Sequence, residues 1–187
     1  MAFWNRSARA KTGQLPRGAV SAVTATALAV FRDENNGVHA ETAIAAMAGV
    51  AGTLVLRNSA GGMLDRLEAG SALFGDDADV AGQELLHVVM KAASDVGVQW
   101  DTASGTAVPE VHQPRASAIE LGRLLEPRVG PILAEHKIER SLWPQCCGLA
   151  GLDLVMRARD VLDTEIGTRI FVGAFVAGTK TVPYSRS

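Results

Sequence analysis

Signals for β-structure are scarce in this chain. No run alternates apolar and polar residues cleanly, and no Asn-Gly or Asp-Gly pair joins two alternating segments, so hairpins have no local support. Cysteine occurs only as the adjacent pair Cys146 and Cys147. A disulfide between neighbours is strained and two thiols alone do not hold zinc, which excludes a disulfide scaffold and a structural metal. Two reduced core thiols in a cytoplasmic protein are expected instead. Charge of one sign is not in excess: the net charge is −2. This argues against a nucleic-acid partner for the body of the chain. The longest apolar run, Thr42 to Leu56, is shorter than the roughly 20 residues of a membrane-spanning helix. It reads as a buried core helix, and no membrane partner is expected. The chain has no G-x-x-x-x-G-K-[ST], G-x-G-x-x-G, G-x-S-x-G or H-E-x-x-H, and only four scattered histidines. Neither a cofactor nor a metal is expected.

What is present is a globular composition, 48% hydrophobic and 20% charged over 187 residues. That length suits one domain or two intimate halves. Residues 1–16 read as a basic arm before a helical domain, 17–187. Arg6, Arg9, Lys11, Arg17 and Arg32 precede the first acid, Asp33, and Phe3 and Trp4 could anchor the arm on a second subunit or on its own body. The arm and the following Ala-rich run loosely mimic a secretory signal, but the run is weakly apolar and no small-x-small cleavage site follows.

The expected fold is all-α, a compact bundle of about seven helices. Residues 19–32 form an Ala-rich helix stopped near Gly37. Residues 39–58 form a second, apolar on nearly all sides, which implies a surrounded, central position. The Gly61-Gly62 pair ends it. A short helix is expected over 63–74 and another over 78–97, the latter opened by acids at the positive end of its dipole. Residues 98–114 read as a long loop. Helix resumes over 115–126, where Pro127 and Pro131 are expected to break off a short further piece. Pro144 opens the next helix, which runs to about Asp160. A last one spans 163–177, although "RIFVGAFVAG" is β-branched and aromatic enough for a strand.

One phrase is written twice. Gly49-Val50-Ala51-Gly52 matches Gly148-Leu149-Ala150-Gly151, and Leu54-Val55-Leu56-Arg57 matches Leu154-Val155-Met156-Arg157. Further on, Leu64-Asp65 matches Leu162-Asp163, and "EAGSALF" (68–74) matches "EIGTRIF" (165–171). Chance resemblance of Ala/Gly/Leu helices and true duplication both fit. Duplication implies a pseudo-two-fold body with halves 17–97 and 115–187, in which the two Gly-x-Ala-Gly helices cross closely.

Chemistry is sparse. Glu84-x-x-His87 has the spacing of di-iron bundles. No second copy exists, and on an apolar face of Ala81, Leu85, Val88, Ala92 and Val96 it falls opposite, with Lys91 and Asp95. A solvated charge ladder is the better reading. Arg57 and Arg157, twins in the repeat, suit anion binding by their guanidinium forks, or merely form polar edges beside groups such as Asp153. The loop offers Trp100, Asp101, Glu110 and His112, a set able to do acid–base work or to serve as ordinary loop polarity. The candidate ligand-binding residues are thus Arg57, Arg157, Trp100, Asp101 and His112.

The functional expectation is a non-catalytic structural or interaction protein that self-associates as a homodimer. The alternative is a small-molecule binder or enzyme with a cleft between the halves, covered by loop 98–114. A regulator whose basic arm touches nucleic acid comes third.

Overall fold

Helix-forming composition prevails along the whole chain. The computed structural model describes residues 15–98, 100 and 107–184. Among them are six α-helices: α1 (Arg17–Val30), α2 (Ala40–Ala60), α3 (Asp76–Asp95), α4 (Ala118–Glu135), α5 (Trp143–Ala158) and α6 (Thr164–Lys180). Short 3-10 turns lie at Gly61–Arg66, Glu110–His112 and Arg140–Leu142, and two isolated bridges replace any strand among the described residues. The fold is therefore all-α, with six helices where about seven were expected. The basic arm lies outside the described residues save for Leu15 and Pro16, as do Asp101 and much of the adjoining loop.

α2 is the centre. Every residue from Thr42 to Leu56 is buried, and each of the other five helices packs on it. It is the one described helix long and apolar enough to cross a membrane, but in this fold its partners are other helices. Gly61, at φ +50°, closes it as the sequence indicates. The ambiguous last segment is helical, and Asp163 caps it by accepting from the amide of Glu165.

Two expected elements differ. Residues 63–74 do not form a helix: after the 3-10 turn the chain runs as an extended strap, and Leu73 donates its amide to the carbonyl of Lys180 (2.8 Å). Met63, Leu67 and Phe74 would share one face of a helix, but Met63 and Phe74 stand in solvent, so that face finds nothing to pack against. Pro127 and Pro131 do not break α4. They lie four apart on its exposed face, so the carbonyls their rings displace meet water, and the helix continues. A capping box of Ser117 and Glu120 starts it. In α3 the buried face is Ala78, Gly82, Leu85, Val89 and Ala93, one position away from the expected stripe, and Val96 is exposed. Glu84, His87, Lys91 and Asp95 do face solvent, the last two as an ion pair of 3.0 Å.

Some neighbour pairs of the first three helices recur among the last three. α1 packs on α5 as α4 packs on α2, and α3 packs on α5 as α6 packs on α2. The written repeat follows this only through α2 and α5. Residues 68–74 are strap with Phe74 exposed, whereas 165–171 are helix with Phe171 buried, so those stretches are not equivalent. Nor do the repeated glycines meet each other. A β-carbon at Gly52 would stand 2.2 Å from the carbonyl oxygen of Phe175, and one at Gly178 would stand 2.4 Å from that of Gly49. These glycines seat α6 on α2. Gly148 faces Val89 of α3, and Gly151 faces the ring of Phe171. Backbone cannot step aside as a side chain can. Gly52→Ala is expected to cost about 1–3 kcal/mol by overpacking. Gly82→Ala, with no neighbour nearer than 3.6 Å, should be neutral or add up to about 1 kcal/mol through helix propensity. Urea unfolding of the two variants checks the contrast.

Candidate functional site

Polar groups gather where α2 leaves the core. At its C-terminal end Arg57 reaches Glu126 of α4 through both guanidinium nitrogens, Nη1–Oε1 at 2.6 Å and Nη2–Oε2 at 3.3 Å. Both side chains are largely buried, 17% and 16% exposed. The pair lies in an open groove of about 420 Å³ whose floor is Val50, Leu54, Val129 and Leu133. Arg140 and Trp143 form its rim, with the Arg140 guanidinium 5.6 Å from the ring centre. Trp143 is fixed by donating Nε1 to the carbonyl of Ile138 (2.9 Å). The groove offers an apolar trough, an aromatic wall and one exposed cation, but its central charges answer each other.

At the other end of α2, Glu41 sits between two imidazoles. Nδ1 of His112 is 3.0 Å from one carboxylate oxygen and Nδ1 of His39 is 3.5 Å from the other. Thr42 supports the cluster, 2.9 Å from the His39 ring and accepting from the amide of Arg115 (3.1 Å). Burial pushes the Glu41 carboxyl up, but the His112 hydrogen bond, its own backbone amide and the two imidazoles outweigh this and hold it below the usual carboxylate range. The cluster fastens residues 110–115 to the start of α2. Arg169 does the same for Ala107 by donating to its carbonyl (3.3 Å). Beneath this segment, between Ala45 of α2 and Ile170, Gly173 and Ala177 of α6, lies a second open hollow of about 420 Å³.

The residues singled out from sequence do not converge. Arg57 belongs to the α2–α4 groove, while Arg157 is exposed and pairs with Asp153 on its own helix (3.0 Å). The twin arginines therefore serve separate ion pairs. Trp100 packs edge-on against Phe171, ring centres 5.5 Å apart. His112 is engaged by Glu41, and Asp101 lies outside the described residues. Glu126 and Glu41 were missed because each acquires meaning only from a partner about seventy residues away. Cys146 and Cys147 are free and buried. Burial pushes the Cys146 thiol up to about 11. Burial, with Cys146 and then Glu126 nearby, pushes Cys147 well above its ordinary value. Neither thiol is a nucleophile at neutral pH. Among the described residues, no group of three or more His, Cys, Asp or Glu side chains could hold a metal ion.

A third feature is a surface. The strap (67–75), the start of α3 and the end of α6 form one end of the molecule. Gly70 donates to the carbonyl of Val182 (2.8 Å), and Lys180 pairs with Asp79 while lying 5.6 Å from the Phe74 ring centre. These segments and the tail after α6 carry exposed apolar side chains: Phe74 (81%), Val80 (56%), Tyr184 (52%) and Val176 (42%).

No protein family, curated protein or solved structure matches this chain.

Glu126→Gln removes the charge from a largely buried, two-point contact with Arg57 and is expected to cost about 1–3 kcal/mol. Arg157→Ala should stay within about 0.5 kcal/mol, because its pair is a solvated one on a single helix; chemical unfolding separates the two. Glu41 generates a prediction in pH. Its folded value lies below its ordinary 4.5, so its contribution is complete above that value and is lost as the pH falls through the folded one. The stability gap between the wild type and Glu41→Gln should therefore be widest near neutrality and close in acid, as measured by unfolding at a series of pH values.

Proposed function

We propose that the protein is a non-catalytic helical interaction module that self-associates as a homodimer and works in the cytoplasm. The observation that carries this reading is the end face around Lys180. Phe74 is four-fifths exposed although its strap is hydrogen-bonded in place, so the fold presents the ring rather than failing to bury it. Isolated surface hydrophobics are ordinary, whereas several gathered on one face mark an interface. The free, buried thiols accord with a reducing compartment.

Two observations favour a non-catalytic role: burial keeps both thiols protonated at neutral pH, and the imidazole of His112 is committed to Glu41. The reading as a small-molecule binder is supported by the hollow beside Ala45, which residues 108–118 roof as a covering loop would. Its openness favours the interaction reading, since small ligands are mostly enclosed. The same proposal takes the three-helix halves as products of duplication, supported by their matching neighbours.

The homodimer is tested by sedimentation velocity. A dimer at micromolar concentration, weakened in Phe74→Asp with unchanged helical content, is the expected result. A wild-type chain that stays monomeric at high micromolar concentration sinks the proposal.

A further inference from the structure

We propose that the end face is the docking site for residues 1–14 of a second copy of this chain. The inference rests on the self-association put forward above and names the contact that drives it.

The face has two characters. Its centre is apolar, with Phe74, Val80, Val176 and Tyr184 exposed. The segments that build it are rich in acids: Asp65 in the 3-10 turn before the strap, Glu68 in the strap, and Asp76, Asp77 and Asp79 in the first turn of α3, against Arg66 and Lys180. Lys180 is already matched by Asp79, so the remaining acids dominate the rim. The acids of α3 also favour its helix dipole, but Asp65 and Glu68 precede that helix and are not accounted for by it. A partner for this face needs large apolar side chains followed by cations. Residues 1–14 have that pattern, with Phe3 and Trp4 ahead of Arg6, Arg9 and Lys11 and no acid among them. Aromatic anchors in an apolar centre with opposite charges at the rim is how specific protein contacts are built.

Geometry favours a second copy over the chain's own arm. The start of α4 lines the same hollow as Gly173 and Ala177 of α6, near the end face. The other end of α4 lies by the start of α1, since His136 is next to Gly18. Between them run the 18 residues of α4, about 27 Å of helix. The eleven residues from Trp4 to Leu15 reach about 36–40 Å only when fully extended. Docking within one chain thus uses about two thirds or more of the arm's full reach. Exchange between two copies removes that requirement.

The experiment uses charge reversal in the full chain. One variant carries Arg6→Glu, Arg9→Glu and Lys11→Glu; the other carries Asp76→Lys and Asp77→Lys. Each alone places like charges together and should weaken dimerisation by about tenfold or more, while an equimolar mixture restores a dimer because each reversed arm meets a reversed face. Sedimentation of each variant and of the mixture reads this out. Phe74→Ser supplies an uncharged check that leaves the first turn of α3 intact, and it should weaken the dimer as well. If the arm-reversed chain dimerises like wild type, the protein self-associates by another surface and this inference fails alone. If the mixture stays monomeric while each variant is folded, arm and face do not meet between copies and the inference also fails. If wild type is itself monomeric, the self-association reading fails and takes this one with it.

Discussion

Where α6 crosses α2, backbone meets backbone. α6 lies on α2 with the Phe175 carbonyl over Gly52 and Gly178 over the Gly49 carbonyl, where no β-carbon fits. The most extensive helix–helix contact in the fold follows from this. Because α6 sits so near the axis of α2, Phe171 and Phe175 are carried into the centre, where they stack 6.3 Å apart and fill the space beside Gly151 and Gly82. The same crossing determines where α6 ends and hence where the strap can pair with it, through Leu73 and Lys180. The glycine seat in α2 therefore positions elements that it never touches.

A helix buried on every side has no polar face, so its charges must lie at its ends. α2 obeys this: Glu41 is in its first turn, Arg57 in its last, and Thr42 and Thr53 are the only polar side chains between them. Each terminal charge takes its partner from a different element, His112 from the loop before α4 and Glu126 from within α4. Both partners thus belong to one stretch of chain. The two ion pairs hold α4 and its leading loop along α2, and apolar packing of Leu121, Leu125, Val129 and Leu133 fills the distance between them.

Local signals were readable wherever one residue type has one physical use. The Gly61 stop, Pro144 in the first turn of α5, the acids opening α3 and the all-round apolarity of α2 each foretold what is found. Signals that depend on surroundings misled. Pro127 and Pro131 cost α4 less where the displaced carbonyls reach water, and solvent on that face is a tertiary fact. Gly49 and Gly52 announced a close crossing, but spacing alone does not say with which helix: the match to Gly148 and Gly151 suggested α5, whereas α6 is seated on Gly52 and the start of α4, at Ala118, lies over Gly49. Residues 68–74 resemble 165–171 in letters but lack a neighbour to bury against, so one stretch is strap and the other helix. The polar clusters were invisible for a simpler reason, since Arg57–Glu126 and Glu41–His112 join positions about seventy residues apart.

The position of the exposed end face is a consequence of the same packing. With α2 surrounded by five helices, the apolar side chains needed for the core are already enclosed, down to Phe171 and Phe175. Phe74 contributes nothing to that core; it is held out by a strap whose hydrogen bonds to 180–182 leave the ring against Lys180 and solvent. An ordered anchor loses little freedom when it binds, so a strap held in place that displays its largest side chain would suit the contact surface proposed above. Rigidity of the strap and exposure of Phe74 are thus one feature, and both derive from α6 being seated on the glycines of α2.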